Sequence, residues 1–351
     1  MAFPKASNYG NLPNGNFSPV IYSQKVQLAF RKTSVIEDVT NTDYFGEISN
    51  MGDTVRIIKE PEITINDYAR GTQVVAQDLE DTDFQLTVDQ ANYFMFKIDD
   101  IEAAHSHVNF MDLATDRAAY RLRDKFDSNI MAYMSGYDAS GGTFTARNTV
   151  PGTKADSNAG ADELLAAQKL TRSGFVSSGT GTHSISIDST GSTSDTTSPL
   201  QIMNRMARIL DQNNVDTEDR WFIADPVFYE QLQDENSKLI NNDFAGGQDA
   251  GDILRNGRLV AGLIRGFRVY KSNNLPSLGT GPGTSASQGS ASNFGVVIAG
   301  HQSAIASAQQ LDKTESYRDP DSFSDVVRGL QMFGRKILRP EAIVTANYNV
   351  A

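Results

Sequence analysis

The sequence has 351 residues, 39% of them apolar, a formal net charge of −12 and no cysteine. That apolar share supports a core of globular size, whereas the acidic balance argues against a surface that coats nucleic acid, which needs clustered Lys and Arg. Disulfides, thiolate metal sites and Cys nucleophiles are excluded, and no run approaches the roughly 18 apolar residues of a membrane span.

Residues 1–20 carry Pro4, Pro13, Pro19, Gly10 and Gly15 with little periodicity and read as an arm that orders on a partner. Apolar positions return at Val26, Leu28, Phe30, Val35 and Ile36, predicting a stretch that docks the arm onto a body. Over 53–97, Val55, Ile57, Ile63 and Ile65 are answered by Phe84, Leu86 and Val88 at period two, which predicts a long antiparallel two-stranded excursion. Its turn chemistry lies in Asn66-Asp-Tyr-Ala-Arg-Gly71, and Asp78, Glu80, Asp81 and Asp83 form an acidic knot. An isolated hairpin is marginal in water, so this one needs another surface to lie on.

From Ile98 to Ser135 the positions Ile101, Ala104, Val108, Met111, Thr115, Ala118, Leu122, Phe126, Ile130 and Tyr133 step by three or four. They predict one helix over 98–136, about 55 Å long, starting at Asp99, Asp100 and Glu102 and stopping at Gly136. The stripe is too irregular for a heptad seam, so it is expected to pack on a sheet. Residues 137–198 read as loop-rich surface, with a modest helix near Ala161–Leu170 and a short strand at His183–Ile187. A compact α+β unit begins at Pro199: a helix with Ile202, Met203, Met206, Ile209 and Leu210, a buried strand over 221–225, and a helix opened by Pro226. A hairpin about Arg265-Gly266, a buried strand at Phe294–Ala299, and strands Ser324–Leu338 and Ala342–Val350 with a turn at Arg339-Pro340 complete the pattern.

Catalytic signatures are sparse. His105 and His107, two apart on a helix, point about 200° from each other and do not share a metal. The loop Gly279-Thr-Gly-Pro-Gly283 lacks the Lys-Ser/Thr pair and the following helix of a phosphate cradle. Neither a G-x-S-x-G elbow nor an H-E-x-x-H helix occurs. Asp319, Asp321 and Asp325 bring oxygen ligands suited to a hard cation, but Phe323 and a missing glycine turn spoil the calcium-loop spacing, and a solvated acidic turn is expected. The expectation is no enzyme, no metal and no cofactor.

Several whole segments carry a family resemblance: Asn41-Thr-Asp-Tyr44, Gly52-Asp-Thr-Val-Arg-Ile57, Val88-Asp-Gln-Ala-Asn-Tyr-Phe-Met-Phe-Lys-Ile-Asp-Asp100, Ala114-Thr-Asp-Arg-Ala-Ala-Tyr120, Arg220-Trp-Phe-Ile-Ala-Asp-Pro226 and Gly266-Phe-Arg-Val-Tyr-Lys-Ser-Asn-Asn-Leu-Pro276. In order and content the chain resembles the major capsid protein of tailed double-stranded DNA phages, an α+β fold named after the phage Hong Kong 97. The resemblance implies an N-terminal arm over 1–45, an extended loop over 46–97, and a peripheral domain over 98–198 whose spine is 98–136. An axial domain over 199–320 and return strands over 321–351 would follow.

The resemblance further implies a coat protein that assembles with itself as hexamers and pentamers into an icosahedral head. Such a shell encloses DNA without sequence-specific binding, is assembled in the host bacterial cytoplasm and ends in the virion. An extended loop lying across an adjacent subunit makes Tyr68, Arg70, Asp78, Glu80, Asp81 and Asp83 candidates for contact between subunits. A separate scaffolding protein is expected, because the extended loop begins within about fifty residues of Met1, together with a portal and a possible decoration protein. No lysine lies between Lys59 and Lys97, so no covalent cross-link through the loop is expected. The rival readings are an encapsulin-like nanocompartment, which shares the fold, and a carboxylate-based hydrolase, which would show an Asp or Glu pair converging in one cleft.

Overall fold

The computed structural model describes residues 34–41, 54–58, 63–71, 73, 76–78, 83–100, 110–140, 143–146, 164–165, 168–170, 185–188, 196–233, 264–278 and 294–350. In chain order the helices are α1 (Ile36–Val39), α2 (Phe110–Ser135), α3 (Pro199–Gln212) and α4 (Pro226–Gln233). The strands are β1 (Thr54–Ile58), β2 (Asp83–Asp99), β3 (Tyr137–Ser140), β4 (Thr143–Ala146), β5 (Lys169–Leu170), β6 (Ile185–Ile187), β7 (Arg220–Ala224), β8 (Arg268–Lys271), β9 (Ser277–Leu278), β10 (Phe294–His301), β11 (Ile305–Arg318), β12 (Ser324–Ile337) and β13 (Ile343–Val350). Short 3-10 turns at Gln302–Ala304 and Pro340–Ala342 join β10 to β11 and β12 to β13.

Strands β7 and β10 read as nearly unbroken apolar runs, the pattern of strands covered on both faces, and β13 buries Thr345, Asn347 and Asn349 between its apolar residues. They form the middle of a seven-stranded sheet ordered β5-β13-β10-β7-β8, with β6 also on β13 and β9 on β10. Pleating sends alternate residues to opposite sides. Trp221, Ile223, Val296, Ile298 and Ile343 meet Phe126, Ile130, Met131 and Met134 of α2. Phe222, Ala224, Val297, Val344 and Tyr348 meet Ile202, Met203, Met206 and Leu210 of α3 and Phe228 and Leu232 of α4. The result is three layers, helix on sheet on helix pair, and the expected docking of the long helix on a sheet is observed.

The second sheet has four antiparallel strands in the order β1-β2-β12-β11. Val55 stands opposite Leu86 and Ile57 opposite Phe84, the antiparallel pairing that the alternation predicts. The pairing is described as far as Ile58 and Asp83. Ile63 and Ile65, predicted to extend it, lie outside any strand at 67% and 93% exposure.

The long helix also differs from its predicted span. β2 continues through Asp99, with Asp99 opposite Ser324, so 98–99 are strand; the helix is described from Phe110, and Ile101, Ala104, His105, His107 and Val108 lie outside the described residues. Phe94, Phe96 and Ile98 keep period two because β12 lies beside them; Asp100, helical directly after β2, also accepts from Arg318. The 26 residues of α2 span about 39 Å. The helix ends at Gly136, whose φ of 86° is the left-handed conformation that glycine adopts without a Cβ penalty.

Lys169 and Leu170, predicted as helix, form β5 parallel to β13, so adding to a sheet edge wins over local helical pattern; 161–163 and 166–167 lie outside the described residues. Arg265 and Gly266 both have positive φ in the turn that closes Ile264 onto Phe267, as the hairpin predicted, with 259–263 outside the described residues.

Candidate assembly surface

The four-stranded sheet turns different chemistry to its two sides. On the inner side, Phe333 of β12 meets Phe126 of α2 edge to face at 4.9 Å, and Arg335 donates to the Asn129 carbonyl at 2.6 Å with its guanidinium over the Tyr133 ring. Phe94 lies over Gly329, directly opposite on β12, where an added Cβ would fall 2.2 Å from the Phe94 ring. The sheet is thus bolted to the spine by aromatic and cationic contacts.

On the outer side the register lines up three rows across β2, β12 and β11: Tyr93, Leu330 and Lys313; Met95, Arg328 and Glu315; Lys97, Val326 and Tyr317. Tyr93 is 80% exposed and Met95 57%, and with Leu330, Lys313, Glu315 and Arg328 they line a shallow groove of about 430 Å³. Glu315 sits between Lys313 and Arg328, which donates to it at 2.7 Å. These two cations hold its carboxyl down at about 2. Arg328 also lies 5.2 Å from the centre of the Tyr317 ring, a cation–π contact. This face can bind an apolar partner and steer it by charge.

At the far end of the sheet, the Arg318 guanidinium bridges Asp100 and Asp325. Asp319 accepts from the Ser322 hydroxyl at 2.6 Å and the Asp321 amide at 3.1 Å, bonds that hold its carboxyl below the usual range. The acidic turn therefore spends its carboxylates on the hairpin and on Arg318. Among the described residues no group of three His, Asp or Glu side chains is placed to hold a metal. His301 accepts from the Ser303 amide at 3.2 Å and caps a 3-10 turn, while His183 and the 279–283 loop lie outside the described residues.

Two carboxyls are pushed up by burial. Asp225 receives bonds from the Tyr348 hydroxyl and, at 3.1 Å, from the Phe228 amide that opens α4. Asp127, on α2, receives the Ser34 hydroxyl at 3.0 Å. They belong to different layers and each is tied to an internal donor, so they are not a convergent catalytic pair.

Of the predicted contact residues, Tyr68 (70% exposed), Arg70 and Asp78 lie on the exposed excursion beyond β1, where the Thr64 amide donates to the Gln77 side chain at 3.0 Å. Asp83 opens β2 opposite Ile58, and Glu80 and Asp81 lie outside the described residues. Sequence reasoning missed Tyr93, Met95, Glu315, Tyr317, Arg328 and Leu330. The run Tyr93-Phe-Met-Phe96, apolar on both sides of a strand, was the one signal for them.

A family profile described as phage capsid protein matches residues 84–346. This chain belongs to the phage capsid protein family. Among solved structures, the capsid-family fold is similar to Mycobacterium phage Che8 (24% identity, 95% of this chain and 97% of that one, TM-score 0.68). It is also similar to the chain titled Cyanophage Pam1 capsid asymmetric unit (14%, 99% and 99%, 0.64) and to the capsid of Ralstonia phage GP4 (13%, 98% and 98%, 0.62). At these identities the likeness is one of fold. No curated protein matches the chain by sequence. The protein is a phage capsid protein, a virion component with the Hong Kong 97-type α+β fold, and neither the nanocompartment nor the hydrolase reading is favoured.

Proposed function

We propose that this coat protein builds its shell by placing the extended loop of one copy on the outer sheet face of another, closing hexamers and pentamers into an icosahedral head around double-stranded DNA. The observation that carries the reading is the exposed cluster of Tyr93, Met95 and Leu330, apolar surface on the outer side of the sheet. The loop brings matching chemistry: Ile63, Ile65 and Tyr68 are exposed, and Asp67, Asp78, Glu80, Asp81 and Asp83 outnumber Arg70, against Lys97, Lys313 and Arg328 around the face. Tyr68 and Arg70 would sit at the contact, and the acidic knot would pair with the cations.

In this reading the arm is 1–45, the extended loop 46–97, the peripheral domain 98–198, the axial domain 199–320 and the return 321–351. The chain carries no catalysis. A separate scaffolding protein, a portal and a decoration protein complete the assembly, and the acidic balance lets DNA be contained without being gripped.

Electron microscopy of the purified protein, alone and coexpressed with scaffold candidates from its own locus, tests this. Closed shells or capsomer rings are expected, and a monodisperse monomer under every condition would reject it. Reversing the knot with Asp78→Lys and Asp81→Lys should abolish rings, and adding Lys313→Glu and Arg328→Glu should restore them. Rings that persist in the first variant would move the loop contact elsewhere.

A further inference from the structure

The segment 34–41 is fixed at both ends, and the two attachments differ in kind. At its C-terminal end the Asn41 amide donates to the Ile305 carbonyl at 2.8 Å, Ser307 donates back to Asn41 at 3.1 Å, and the Thr40 and Ser307 hydroxyls lie 2.9 Å apart. None of these groups titrates. In the middle, Ile36 and Val39 are fully buried among Phe126, Ile130 and their neighbours. At the N-terminal end the anchor is Asp127, 1% exposed, whose carboxyl accepts from the Ser34 hydroxyl and the Val35 amide. Ser34 and Val35 are therefore tied to a buried carboxyl.

Among the described residues, the charged groups facing that carboxyl are chiefly of like sign. From α1 comes Glu37, and from its own helix Asp124, both carboxylates. Arg121 is 3.6 Å from Asp124, and Arg335 of β12 is directed to the Asn129 carbonyl and the Tyr133 ring. Arg31 and Lys32 precede Ser34 in sequence but lie outside the described residues. An ionised Asp127 is thus desolvated among like charges, with a hydroxyl and an amide for support, and burial followed by those charges pushes its carboxyl up to about 6.

We propose that Asp127 is a proton-operated latch on the root of the N-terminal arm: protonated, it keeps Ser34 and α1 seated on the spine; ionised, it lets them lift while Asn41 stays pinned to β11. The sign follows from linkage. The seated form holds the proton more tightly than the lifted form, so seating is strongest in mild acid and weakens as the pH rises through about 6. The lifted carboxyl reaches water and its ordinary value of 3.8. Between pH 5 and 7.5 the lifting equilibrium then grows about tenfold. The inference does not depend on which surface the loop of a neighbour covers.

Hydrogen exchange on the full-length protein, followed by mass spectrometry of the peptide over 34–41 and corrected for intrinsic exchange, tests the latch. Protection should fall about tenfold from pH 5 to 7.5 and stay flat in Asp127→Asn, which keeps the shape and cannot ionise. A flat wild-type profile, or an unchanged pH response in Asp127→Asn, would overturn it. Ser34→Ala provides a second reading at a partly exposed site: losing a bond that favours the carboxylate should raise the midpoint above that of the wild type, and an unmoved midpoint counts against the latch.

Discussion

Strands β7, β10 and β13 bury both faces, whereas β2, β12 and β11 pair just as continuously and leave Tyr93, Met95 and Leu330 in solvent. The first set is the richer in aromatic and β-branched residues, and the second interleaves its own with charged ones. Among the described residues they also differ in cover: α2 on one side and α3 with α4 on the other for the first set, α2 on one side for the second. In the proposed assembly, the open side of the half-covered sheet receives a neighbouring copy. The comparison predicts that damage to the first sheet is felt in folding and damage to the second in assembly.

The largest effect should come from the doubly covered sheet. Phe228, fully buried, packs against Phe222 and edge to face on Tyr348. Phe228→Ala should cost about 3–5 kcal/mol in urea unfolding of the isolated subunit. A loss confined to assembly, with subunit stability intact, would break the comparison. Next comes Gly329→Ala, on the inner side of the four-stranded sheet, where the new Cβ meets the Phe94 ring. Overpacking of this kind costs about 1–3 kcal/mol, and Phe94→Ala in the same chain should recover most of it as a coupling between facing residues. Additive losses would mean the ring was never the obstacle.

These two sites also show what could be read from sequence. The covering of β7 and β10 was legible because an unbroken apolar strand has few other uses, and the helix stripe at Phe126, Ile130 and Tyr133 pointed to a sheet partner before one was visible. The outer rows were not legible. β11 is polar along both sides over Lys313–Arg318, and its strand character comes from its partner β12, a pairing that no local pattern encodes. The same partner extends β2 to Asp99, so Ile98 and Asp99 are strand where helix was predicted. Local period named the elements whose burial lies within their own faces; the elements held by a neighbouring ladder, and the surface they build, needed the fold.

A smaller stability effect with a large assembly effect is expected on the open side. Tyr93→Ala and Leu330→Asp remove exposed groups, so subunit stability should move by no more than about 0.5 kcal/mol, while capsomer formation judged by sedimentation should be lost. If both variants assemble normally, the open face is not the contact and another surface of the sheet must serve.

The finest distinction lies in acid, where the two regions should respond with opposite signs. Glu315 titrates at about 2 in the folded chain against about 4.5 ordinarily, because Lys313 and Arg328 flank it. Its contribution is therefore present above about pH 4.5 and lost as the pH falls toward 2. Asp225 is displaced upward by burial, so its carboxyl favours the folded state at low pH and loses that advantage as the pH rises. Glu315→Gln should flatten the fall in urea midpoint between pH 5 and 2, and Asp225→Asn should not. Because the Glu315 pairs lie in solvent, added salt should shrink the difference between wild type and Glu315→Gln. A difference that survives high salt would place those charges under cover, and the outer face would then be a closed surface within the subunit instead of an open one between subunits.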